Sequence, residues 1–172
     1  MLCRCGCQVG SGVFLERKDG RQVVSGGSWK YQKWRDSAGR LGTGIGREEP
    51  VAKALEAVQN EGYQEIVCGG FSAGCDMLLR AVAFSSVCCE RLILQSPWIP
   101  VLEDHMEEVL QAIQKKGIEL RIFCGSDDED CLPLAKQLYD AANQEGLDVE
   151  LTIQKHNRHQ FPLELDTLKN LW

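Results

Sequence analysis

Residues able to carry out acyl transfer sit in three stretches of this chain. They are a serine in Gly70-Phe71-Ser72-Ala73-Gly74, carboxylates in Gly125-Ser126-Asp127-Asp128-Glu129-Asp130, and histidines at His156 and His159. The serine stands in the spacing G-x-S-x-G, after the apolar run Ile66-Val67-Cys68 and before helical spacing at Met77, Leu78, Ala81 and Val82. That strand, sharp turn and helix context projects a hydroxyl from the top of a sheet. A side chain two positions before or after the serine would collide with neighbouring backbone, so Gly70 and Gly74 give Ser72 room. At a helix N-terminus, the dipole and free N–H groups favour a developing oxyanion. A glycine-rich turn, a solvated acidic loop and a loop histidine each have a plain structural reading. Together, in the chain order serine, acid, base, they favour chemistry.

The elements that must position these groups alternate regularly. Glu48, Glu49 and Pro50 open a helix with Val51, Leu55 and Val58 on one face, ending at Gly62. The pattern then predicts strands over Ile66–Gly70, Arg91–Gln95, Glu119–Cys124 and Asp148–Ile153. Between them it predicts helices over Ala73–Phe84, Asp104–Lys116 and Pro133–Gln144. Strands separated by amphipathic helices imply an α/β fold: a mostly parallel sheet, right-handed crossovers, and helices on both faces. Sites in such sheets gather at the carboxyl ends of the strands. The acidic loop and the histidine loop both follow strands at that edge.

Upstream, Val13–Val24 carries Asp19-Gly20 between two partly apolar segments, a hairpin signal. Ser25–Gly46, with Trp29, Tyr31 and Trp34, reads as a long loop. The chain is therefore read as one domain, with an irregular segment over 1–47 and a core over 48–172.

With 172 residues, 44% hydrophobic and 26% charged, the chain has ordinary globular composition. A net charge of −6 and the lack of a basic patch argue against nucleic acid or an anionic membrane as partner. No secretory signal or run of membrane-spanning length is visible, which makes the cytoplasm the expected location. Nine cysteines, an odd number, rule out a complete set of intramolecular disulfides. Cys68 and Cys124 lie in apolar runs and read as core residues. Cys3, Cys5 and Cys7 form C-x-C-x-C, which fits a soft metal but lacks a second half at structural-zinc spacing; a frayed terminus is the other reading.

From about Glu48 to Pro162 the chain resembles the α/β-hydrolase superfamily, particularly its serine esterase and dienelactone-hydrolase-like members. The resemblance is carried by GFSAG at Gly70–Gly74, SPWIP at Ser96–Pro100, GSDDE at Gly125–Glu129 and RHQFP at Arg158–Pro162. It implies Ser72 as nucleophile, Asp128 as acid and His159 as base. Asp127 and Asp130 stay open for the acid, and His156 and His105 for the base. The resemblance further implies hydrolysis of a small-molecule ester or thioester through an acyl-enzyme, with no cofactor and no metal. Ala73 would give one oxyanion N–H, and Trp98 and Ile99 would line the acyl pocket, with plain packing as the alternative for both.

The family usually places several strands before the serine, with a His-Gly or similar loop supplying a second oxyanion donor. Here about sixty residues precede Ile66, and none reads His-Gly; Trp34-Arg35-Asp36 resembles the W-x-D element of some relatives. The expectation is a hydrolase fold lacking its N-terminal strands, weak as an esterase and prone to self-association. A catalytically inert binding protein or fragment of the same fold is the alternative, and a redox or metal module on Cys3, Cys5 and Cys7 a further one.

Overall fold

In the computed structural model the described residues are 49–60, 66–86, 88–99, 102 and 105–160. The expected hairpin over Val13–Val24, the segment Ser25–Gly46, the cysteines Cys3, Cys5 and Cys7, and Phe161-Pro162 lie outside them.

Helix and strand alternate as α1 (Glu49–Asn60), β1 (Val67–Phe71), α2 (Ala73–Phe84), β2 (Arg91–Gln95), α3 (Met106–Lys115), β3 (Glu119–Gly125), α4 (Cys131–Gln144) and β4 (Val149–Gln154). Expected and observed boundaries agree to within two residues throughout. Helix α4 begins two residues before its expected start at Pro133. The Asp128 carboxylate accepts the Cys131 N–H at 3.2 Å and satisfies the first turn, and proline is tolerated there because that turn's N–H groups have no intrahelical partner.

The four strands pair in the order β1-β2-β3-β4, all parallel. Register aligns Cys68, Leu92, Leu120 and Val149 in one row and Gly70, Leu94, Ile122 and Leu151 in the next on that face. These rows meet Leu55 of α1, Leu78, Leu79 and Val82 of α2, Val109, Leu110 and Ile113 of α3, and Ala135, Leu138 and Ala142 of α4 in a single core cluster. The described helices form one row, α1 on α2, α2 on α3, α3 on α4. Phe71, Ile93 and Phe123, at the alternate positions, are buried but lie outside that cluster. Successive side chains on a strand point to opposite faces, so these three belong to the other side of the sheet.

Helix α2 carries the serine and is buried nearly all round, from Gly74 and Cys75 to Ala81, Val82 and Ala83. A helix packed between two neighbours must be apolar on more than one face. Its last turn is closed by Lys116, whose ammonium donates to the carbonyls of Val82 at 2.5 Å and Ser85 at 2.7 Å. A cation at that position also complements the negative end of the helix dipole. Among the described residues no helix is long and apolar enough to cross a membrane.

The row structure makes a contrast between two strand positions. Leu94 is fully buried, whereas Ile153 on β4, the outermost of the described strands on that side, is 43% exposed. Leu94→Ala is expected to cost about 2–5 kcal/mol in chemical denaturation, Ile153→Ala less than about 1 kcal/mol. Equal losses would contradict this assignment of inner and outer positions.

Candidate active site

Ser72 follows β1 at the N-cap of α2 with φ 55° and ψ −127°, a left-handed backbone rarely adopted by a residue with a Cβ. The conformation is held from both sides. The Ser72 N–H donates to the Gln95 carbonyl at 3.0 Å, while its carbonyl accepts from Cys75 at 3.0 Å and Trp98 at 3.2 Å. Gly70 lets α2 start this close to β1, because a Cβ there would sit 3.0 Å from the Cys75 Cα. A serine at an N-cap commonly spends its hydroxyl on the helix's own N–H groups. Ser72 makes no such bond, and its Oγ lies 3.0 Å from Nε2 of His159.

The other ring nitrogen, Nδ1, lies 2.9 Å from Oδ2 of Asp128. The Asp128 side chain is 2% exposed and that of His159 22%. Burial by itself pushes the Asp128 carboxyl up. The hydrogen bonds from His159 and Ser96, the imidazolium charge and the Cys131 N–H outweigh it and hold the group below its ordinary 3.8. An ionised carboxylate only accepts, so Nδ1 carries the proton toward Asp128 and Nε2 keeps the lone pair that faces the serine hydroxyl.

The loop after β4 must cross the sheet to achieve this. Strands lie about 4.8 Å apart, so the ends of β1 and β4 are roughly 14 Å apart. Residues 155–159 extended span at most about 18 Å. The loop therefore runs back over the end of β3, where Gly125 admits it: a Cβ on Gly125 would lie 2.6 Å from the Asn157 carbonyl carbon and closer still to its oxygen. The Asp127 N–H donates to the Asn157 carbonyl at 2.9 Å, and the Ser126 hydroxyl accepts the His156 N–H at 2.9 Å. His156 itself takes φ 60° to make the bend.

Of the candidate carboxylates, only Asp128 meets a histidine ring. Asp127 is exposed and accepts from its neighbour Ser126 at 2.7 Å, and Asp130 is exposed at the start of α4. His156 is exposed on the bend, and His105 lies at the start of α3 with Nδ1 3.7 Å from Glu108. Ala73 opens α2, so its N–H is one the helix does not use internally. Trp98 is half-buried beside Ser72, whereas Ile99 is 1% exposed and packed in the core cluster.

Several contributors to the site were not singled out from sequence. Ser96, at φ 46°, is among the groups that lower the Asp128 carboxyl, and Gln95 bridges it to Gln154 through bonds of 3.3 and 3.1 Å. Gly125 makes the loop crossing. Cys131 places its Sγ 3.4 Å from His159 Nδ1, and the Cys124 thiol lies 3.9 Å from Asp128 Oδ2. Ser96 opens the SPWIP stretch and Gly125 the GSDDE stretch, but neither role follows from spacing. Burial pushes the Cys124 thiol up to about 11 and raises Cys131 further, with the Asp128 charge adding in both. Neither is a thiolate near neutrality, so the thiols are not the nucleophile.

No family model and no curated protein matches this sequence. Solved structures do. An uncharacterized protein from Bacillus cereus superposes with a TM-score of 0.64 at 25% identity, covering 72% of this chain and 40% of its own. Arabidopsis thaliana SOBER1 gives 0.59 at 15% identity, covering 72% and 59%. Zea mays acyl-protein thioesterase 2 gives 0.53 at 18% identity, covering 72% and 64%. The chain has the α/β-hydrolase fold. It spans less than two thirds of each of these three chains. Within the α/β-hydrolase fold, the three side chains meet at the carboxyl edge of the parallel strands, the edge at which such sheets place their sites.

Two expectations follow from this geometry. Gly125→Ala would force rigid backbone apart and should cost about 1–3 kcal/mol in chemical denaturation; an unchanged midpoint would disprove the close crossing. Because Asp128 is held below its ordinary 3.8 in the fold, its ionisation stabilises the protein above that pH and the contribution is lost as pH falls through the lower folded value. The stability margin of the native chain over Asp128→Asn should therefore narrow below about pH 4. A margin that is flat or widening there would contradict the depressed carboxyl.

Proposed function

We propose that this chain is a serine hydrolase that cleaves a carboxylic ester or thioester through an acyl-enzyme. The observation that carries the reading is the continuous relay from Ser72 Oγ to His159 Nε2 at 3.0 Å and from His159 Nδ1 to Asp128 Oδ2 at 2.9 Å. Ser72 Oγ attacks the carbonyl carbon while its proton passes to the Nε2 lone pair. Asp128 keeps the ring in the required tautomer and stabilises the imidazolium that forms. The tetrahedral oxyanion develops at the start of α2, where the Ala73 N–H and the helix dipole meet it. His159 returns the proton to the leaving alcohol or thiol, and water repeats the sequence on the acyl-enzyme. Trp98 flanks the acyl group, while Ile99 supports it from the core.

The fold likeness to an acyl-protein thioesterase supports placing thioesters beside oxygen esters in the substrate class. The described cysteines Cys68, Cys75, Cys88, Cys89, Cys124 and Cys131 are free thiols, in keeping with a reducing cytoplasmic setting.

The test is a fluorophosphonate probe with a short activated ester as substrate. Ser72→Ala should abolish labelling. Ser72→Ala and His159→Ala should each lower kcat/KM by about 10⁴-fold or more, Asp128→Asn by roughly 10³- to 10⁴-fold, and double variants hardly further, since the three act as a unit. Labelling that persists in Ser72→Ala, or activity indifferent to His159, would overturn this assignment of nucleophile and base, and a native chain with neither labelling nor turnover would be a non-catalytic binding protein with this fold.

A further inference from the structure

The relay leaves one potential ligand unused. Cys131 Sγ lies 3.4 Å from the same Nδ1 that bonds Asp128, and ligand atoms of Asp128, Cys131 and His159 all lie within 4.8 Å of one another. We infer that these three side chains form an inhibitory site for a zinc-class divalent cation, which switches the hydrolase off by capturing its histidine. The inhibitory part of this inference rests on the serine-hydrolase reading; the cation site itself does not.

The donor set decides the class of ion. One imidazole nitrogen, one sulfur and one carboxylate oxygen are the ligands of zinc and cadmium, whereas magnesium and calcium take oxygen. Tetrahedral zinc with bonds of about 2.0–2.3 Å needs ligand atoms about 3.3–3.7 Å apart. The separations from Nδ1 are 2.9 Å to Asp128 Oδ2 and 3.4 Å to Cys131 Sγ, each within a few tenths of an ångström of that range, and the sulfur and the carboxylate oxygen lie within 4.8 Å of one another. Cys131 and Asp128 are already held to one another through the Cys131 N–H and Asp128 Oδ1. The partly exposed His159 edge, 22% accessible, gives the ion its approach and leaves a fourth position for water.

The consequence for the relay follows from proton positions. The ion takes the Nδ1 lone pair, so the neutral imidazole carries its proton on Nε2. Cys131 gives up its thiol proton to solvent and binds as thiolate, for a net release of one proton. Nε2–H then donates to Ser72 Oγ and has no lone pair left to accept the serine's proton. Asp128 changes from an orienting acceptor to a ligand. Serine, acid and base all remain in place, and the base is held in the wrong tautomer.

The experiment uses the full chain with Cys3, Cys5 and Cys7 changed to serine, so that the C-x-C-x-C segment takes up no metal. The rate of fluorophosphonate labelling is followed against Zn²⁺, with Mg²⁺ as control and a chelator added at the end. Each variant is compared with its own metal-free rate. Zn²⁺ should inhibit reversibly and Mg²⁺ should not. In Cys131→Ala and the nearly isosteric Cys131→Ser, the inhibiting concentration should rise at least about tenfold, the low end of what even an outer-shell change costs in affinity. Cd²⁺ should give an ultraviolet thiolate charge-transfer band that both variants lose. Equal Zn²⁺ sensitivity of all three proteins, no sensitivity in any, or equal inhibition by Mg²⁺ overturns the proposal. A chain that is never labelled even without metal defeats the hydrolase reading instead, and the Cd²⁺ band alone then decides whether the cation site exists.

Discussion

The Asp128 carboxylate is the constraint on which the site depends. A buried anion is tolerated only when its lone pairs are taken, and those of Asp128 are taken by groups from three parts of the chain. The His159 ring arrives from the loop after β4, the Cys124 thiol from the end of β3, and the Cys131 N–H from the first turn of α4. The bonds that make the carboxylate affordable in the interior also fix the imidazole's tautomer and start α4 early. Fold stability and site geometry are here the same interactions.

The strain in the backbone falls at this edge as well. The non-glycine residues with positive φ among those described are Ser72, Ser96 and His156, each immediately past or close to a strand's carboxyl end. Such conformations cost about 1–3 kcal/mol each and persist where the surroundings over-determine them. Ser72 is held by Gln95, Cys75 and Trp98, Ser96 by a 2.7 Å bond to the Phe123 carbonyl, and His156 by Ser126. The rest of the sheet is regular, with unbroken register across four strands, and supplies the rigidity against which these turns are set.

Sheet order explains why the acid lies between serine and base in the chain. Strands added one after another in β1-β2-β3-β4 order place their carboxyl ends in a line. A histidine beyond the last strand reaches a serine beyond the first only by passing over the third, and the acid at the end of the third strand then sits beneath it. Gly125 is the point at which this path is physically open.

The sequence by itself determined the alternation of strands and helices, because apolar spacing along a segment reports directly which face is buried. It also determined Ser72, since the strand, G-x-S-x-G and helix pattern is local and its two flanking positions admit little but glycine. What it left open was which carboxylate and which histidine. Asp127, Asp128 and Asp130 differ little in type or local spacing, and their distinction is one of burial and direction, which depends on where a loop thirty residues later crosses the sheet. The same holds for His156 against His159, for Ser96, and for the approach of Cys131 to the imidazole. Those are contacts between segments far apart in the chain, and only the tertiary packing brings them within bonding distance.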